Sequence, residues 1–151
     1  MKVNTIFDPS TRDQLLSRVD AIHPGSARQW GKMSPAQMLE HTARALEIAT
    51  GRRPTKHALV GKLIGWAFRK NFVGEKPFAK NAPTGPDYVV RDEPALEPAR
   101  ERVKALIREL HAAGARECDG RVHPFFGPLT GAEWGVTQFK HVDHHLRQFG
   151  A

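Results

Sequence analysis

Five segments of this chain place apolar residues at helical spacing, and most are bounded by recognisable start or stop signals; nothing else in the sequence narrows the fold as much. In DPSTRDQLL, Asp8 offers an N-cap with Pro9 at the first helical position, and Ser10 with Asp13 forms a competing cap. Leu15, Leu16, Val19 and Ile22 then recur on one face until His23-Pro24-Gly25 ends the run, because Pro24 disfavours helical geometry at His23. In SPAQMLEHTARALEIATG, Ser34 caps, Pro35 takes the first position, Gln37 completes a capping box and Gly51 stops the helix. A third segment, from about His57 to Phe72, carries Leu59, Val60, Leu63, Ile64, Trp66, Ala67 and Phe68. The proline- and glycine-rich GEKPFAKNAPTGPDY that follows argues against regular structure. The fourth helix is expected from Glu93 to Ala113, with Gly114 as its stop and Cys118 in the loop beyond, before the compact turn HPFFGPL. The last opens on a second capping box, Thr130 with Glu133, and runs to Phe149. Only Tyr88, Val89 and Val90 suggest a strand, and the run is very short. The expectation is an all-α single domain over residues 1–151, with the stripes buried in a helical bundle.

An apolar fraction of 40% is too high for a disordered chain, and no run of 18 apolar residues is present to span a membrane. The first residues lack the apolar stretch and cleavage site of a signal peptide, and the single cysteine, Cys118, fits a reducing compartment, so a cytoplasmic location is expected. The formal charge of +7 is concentrated from Arg52 to Lys80, where eight basic residues face one acid, Glu75. Such a patch suits phosphates, an anionic substrate or a membrane surface, or it is simply solvated.

Three of the eight histidines fall within five residues of FKHVDHHLRQF. A helix turns about 100° per residue. With His141 at zero, Phe139, Val142, Leu146 and Phe149 define the buried face, and His145 lies one turn above His141 at its margin. His144 falls beside Thr137, Lys140 and Arg147 on the opposite face and is expected to look toward water. On the second helix His41 sits at the margin of the face formed by Met38, Ala45, Leu46 and Ala49. His41, His141 and His145 could therefore converge if these two helices are neighbours; each could equally be a hydrogen-bonded residue of the core edge. Position 142 is Val142, so the H-E-x-x-H of metalloproteases is absent. His23, His57, His111 and His123 are read as structural or solvent-exposed.

WGKMSPAQMLEH, Trp30 to His41, resembles the entry to the second helix of the DinB-like (DinB/YfiT) superfamily, and KHVDHHLRQFG, Lys140 to Gly150, resembles its terminal H-x-x-x-H helix. KPFAKNAPT and HPFFGPLTGAEWG point to a branch known only as a domain of unknown function, with the likeness running from about Phe7 to Gly150. The resemblance implies a four-helix bundle with an additional helical segment and long loops. It implies a divalent metal, zinc or nickel, on His41, His141 and His145. It also implies frequent homodimers, and relatives that are thiol-dependent transferases or isomerases using a low-molecular-weight thiol.

Three imidazoles leave a coordination position open, which suits activation of water or of a thiol, and the ligands alone do not choose between a hydrolase and an S-transferase acting on a small molecule. Gln37 and Gln138, each about one turn from a histidine, could orient a ligand or serve as ordinary helix amides. Trp30 and Trp134 could wall the pocket or anchor helix starts as core aromatics. No acid or base stands out, since Asp143 points away from the histidine stripe. The competing reading is a non-catalytic basic module for nucleic acid or an anionic surface.

Overall fold

The computed structural model describes residues 3–151. Five α-helices carry the structure: α1 (Pro9–Asp20), α2 (Pro35–Thr50), α3 (Leu59–Val73), α4 (Leu96–Cys118) and α5 (Gly131–Gln148). A 3-10 turn occupies Pro86–Tyr88, and β1 (Val122–His123) pairs antiparallel with β2 (Gly127–Pro128). The chain is all-α apart from this ladder. The expected strand at Tyr88–Val90 does not form; Tyr88 ends the 3-10 turn and Val89 and Val90 are irregular.

The caps form as the sequence indicates. The Asp8 carboxylate accepts from the Thr11 amide, Ser34 and Gln37 close a full capping box, and so do Thr130 and Glu133. Gly51 supplies the left-handed stop of α2 at φ 81°. Three boundaries move. α1 stops at Asp20, short of Pro24, because the amides of Ala21 and Ile22 reach back only three residues, to Arg18 and Val19, and tighten the last turn. α4 begins at Leu96, since Pro94 keeps Glu93 out of helical geometry and the Glu93 carboxylate instead accepts from the Ser34 hydroxyl at 2.7 Å. Gly114 does leave helical geometry (φ 80°, ψ 168°), but helix resumes beyond it, so Cys118 lies buried at the end of α4 and not in a loop.

Leu15 and Val19 of α1, Leu39 and Leu46 of α2, Val103 and Ile107 of α4, and Trp134 and Leu146 of α5 share one core. The face of α2 that carries Glu40 and Glu47 is closed by ions: Arg102 of α4 bridges the two carboxylates, and Arg53 also reaches Glu47. Of α3 only the last turn, at Phe72 and Val73, packs against that core. The helix rides on α5 and on the turn that links β1 to β2, with Gly61 and Gly65 against the Phe125 backbone. A Cβ at Gly61 would stand 2.1 Å from the Phe125 carbonyl oxygen, so only glycine permits this approach. The apolar stripe of α3 is consequently not buried, contrary to the bundle expectation.

α3 and the segment after it cover the back of α5. Thr137 and Lys140, assigned to a solvent face by helical projection, are both buried. Lys140 Nζ donates to the carbonyls of Asn71, Phe72 and Gly74 at 2.7–3.0 Å, capping the C-terminal end of α3. Burial pushes the Lys140 pKa down to about 8, which still leaves the ammonium as the form at neutral pH.

Candidate metal centre

α2 and α5 are neighbours in the core, and that contact brings His41 together with His141 and His145. The capping box at Ser34 sets the start of α2 and so the angular position of His41; the box at Thr130 does the same for the α5 pair, one turn apart. The three ring centroids lie 4.6–4.9 Å from one another. One nitrogen from each ring falls within 4.8 Å of the other two, and the Nε2 atoms of His41 and His141 are 3.0 Å apart.

The remaining ring nitrogens are held from behind. His41 Nδ1 lies 2.9 Å from the Tyr88 carbonyl, and His145 Nδ1 lies 2.8 Å from Gln148 Oε1. A carbonyl oxygen can only accept, so His41 carries its proton on Nδ1 and turns a lone pair inward from Nε2. The same logic orients Gln148. Its Nε2 donates to the Trp30 carbonyl at 2.9 Å, which leaves Oε1 for the proton on His145 Nδ1. Gly31, at φ 81°, leaves room for that amide; a Cβ there would meet Gln148 Nε2 at 2.4 Å. His141 lacks such a partner. Its Nδ1 and the Oε1 of Gln138 are buried without a hydrogen bond, the two such side-chain atoms among the described residues.

Burial pushes all three imidazoles below the ordinary histidine range, His145 to about 3, with the neighbouring rings adding mutual repulsion. Each is therefore neutral at pH 7, the form that ligates metal. A tetrahedral cation with bonds of about 2.0–2.1 Å separates its ligand nitrogens by roughly 3.3 Å, between the closest approach seen here and the 4.8 Å limit. The donor set fits a divalent transition-metal ion, and the three-histidine group could hold one.

Helical projection put each of these histidines at the margin of an apolar face, and the structure brings the three together; the projection missed their surroundings. Tyr88 lies 6.0 Å from His41 and 6.5 Å from His141, ring to ring, and burial raises its phenol pKa so that it keeps its proton. Neither Tyr88 nor Gln148 carried a sequence signal beyond, for Gln148, its position three residues after His145. His144 does not look freely toward water. It is half-buried, 5.0 Å from His145, with the Trp30 ring at 5.4 Å and Phe78 at 6.2 Å. Trp30 thus reaches the outer layer of the site, and Lys80 Nζ stands 4.5 Å over its ring. Trp134 is fully buried elsewhere, 5.7 Å from His123, with its indole N–H on the Arg121 carbonyl. Gln37 is spent on the capping box and the Asp92 carbonyl. Asp143 pairs with Arg18 and Arg147, away from the trio. Cys118 is buried against Ala49, and burial raises its thiol pKa.

A helical core whose second and last long helices bring three imidazoles together defines the class. The chain belongs to the DinB superfamily, whose sequence model matches residues 10–149. A search of curated proteins and a search of solved structures each return no match. No helix among the described residues is long and apolar enough to cross a membrane.

Proposed function

We propose that this protein is a metal-dependent enzyme that holds zinc or nickel on His41, His141 and His145 and acts on a small molecule with a thiol or water as the nucleophile. The observation that carries the reading is the inward turn of neutral imidazole nitrogens whose opposite edges are tied to carbonyl oxygens, at Tyr88 and Gln148. A bound cation of this kind supplies Lewis acidity, keeping a thiol deprotonated or bringing the pKa of water to about 7.

The chain's own residues supply the rest. Tyr88 and Gln148 fix the tautomers of His41 and His145. His141 Nε2 faces His41 Nε2, so without a cation it must donate there and leave Nδ1 as an orphaned acceptor. A cation held at Nε2 would require the proton on Nδ1, and Gln138 Oε1, one turn earlier and likewise buried without a partner, is the candidate acceptor for it. Trp30, His144 and Phe78 form an outer layer that limits access of water.

The test is metal analysis of untagged protein purified without chelator. The parent is expected to carry zinc or nickel near one ion per chain, and His41→Ala and His145→Ala to lose it. Variants that retain as much metal as the parent overturn the site. A loaded parent that consumes no thiol and hydrolyses no ester or amide across a broad electrophile panel overturns the catalytic half and leaves the metal centre standing.

A further inference from the structure

We infer that the outer face of α3 is a docking surface for an anionic lipid bilayer. The helix is built the reverse of a core helix. With Leu59 at zero, its apolar residues Leu63, Trp66 and Ala67 fall within about 80°, while Gly61 and Gly65 fall at about 200° and 240°. The glycines face the protein and the large side chains face outward. Trp66 is 78% exposed, Leu59 73% and Leu63 67%, and Val60, Ile64 and Phe68 are exposed beside them. One helix holds six of the eight large hydrophobic side chains exposed among the described residues, and such a continuous apolar patch marks a contact surface.

Charge selects the occupant. Arg52, Arg53 and Arg69 are already committed to Glu109, Glu47 and Glu133. Lys56, Lys62, Lys70 and Lys76 are exposed and have no salt-bridge partner among the described residues, and Glu75 is the one acid between Arg52 and Lys80. A second copy seated on this face would bring lysines against lysines. Duplex nucleic acid would satisfy the lysines but leave the aliphatic stripe and Trp66 in water. An anionic headgroup layer meets both, with lysine ammonium groups at the phosphates and leucine and tryptophan in the acyl boundary. At 15 residues the helix is too short to cross, so it lies in the interface plane. The glycine contact with Phe125 and the Lys140 cap present the helix already formed.

The experiment is flotation of the full chain with vesicles of phosphatidylcholine alone or mixed with phosphatidylglycerol, over a salt series. Binding is expected to the mixed vesicles, weakening with salt. Leu63→Asp is expected to reduce it at least about tenfold. Lys62→Glu and Lys70→Glu are each expected to reduce it about fivefold or more. All three positions are exposed, and circular dichroism checks that the fold is kept. Equal binding to both vesicle types, or none to either, overturns the inference. So does salt-sensitive duplex DNA binding without vesicle binding. Self-association that Leu63→Asp abolishes, again without vesicle binding, assigns the face to a second copy and overturns it as well.

Discussion

Gln148→Leu tests whether the histidine centre is held from behind. The parent amide makes two buried hydrogen bonds, at 2.8 Å with His145 and 2.9 Å to the Trp30 carbonyl. Leucine preserves the bulk and removes both. Each bond contributes about 0.5–1.5 kcal/mol net, and an orphaned partner costs about 1–3 kcal/mol. Metal-free protein is therefore expected to lose about 2–3 kcal/mol in urea unfolding. Separately, loss of the group that orients a histidine ligand lowers metal affinity by about 10–100-fold. Competition against a chromophoric chelator, on variant shown to be folded, reads that directly. Gln148→Glu separates the two effects: it keeps an oxygen for His145 Nδ1 and loses the donor to Trp30. It should bind metal within a few-fold of the parent while still being less stable. A folded Gln148→Leu that binds as tightly as the parent would refute the reasoning.

Three further outcomes follow from the packing. His123 Nδ1 accepts from the amides of Phe125 and Phe126, and burial holds its pKa near 3; below about pH 6.5 the unfolded chain takes the proton and the folded one does not, so stability falls with pH between 6.5 and 3. At pH 4.5 the share is about 2.7 kcal/mol, and His123→Asn, which keeps an acceptor without titrating, should flatten the acid limb by that order in chelator-treated protein; parallel curves would contradict it. Gly61→Ala should destabilise by about 1–3 kcal/mol although alanine favours helix, because the Cβ meets the Phe125 carbonyl; a stabilised variant in thermal melts would place α3 away from that turn. Lys140→Met should cost about 1–3 kcal/mol and speed amide exchange in the last turn of α3, and unchanged exchange would show that the ammonium does not cap it.

The order of helices, their caps and the histidine trio were legible because they rest on local rules. Capping residues act within one turn, and helical periodicity sets which residues share a line along the axis. Periodicity carried the projection of His41, His141 and His145 to the margins of two apolar faces, and the family match agrees with the chain's helical character. The resemblance supplied what periodicity could not, namely that the two margins meet.

The surroundings of those margins were decided at longer range. Lys140 and Thr137 look like surface residues on an isolated helix and are buried because α3, from another part of the chain, lies over them. His144 is screened by Trp30 and Phe78, more than sixty residues away in each case. α3 carries a core-like composition and points it outward, because two glycines give it a closer seat on a backbone turn than its leucines could. Periodicity fixes which side chains stand together on a helix. Which side of that helix meets protein depends on neighbours distant in sequence, and no local rule contains them.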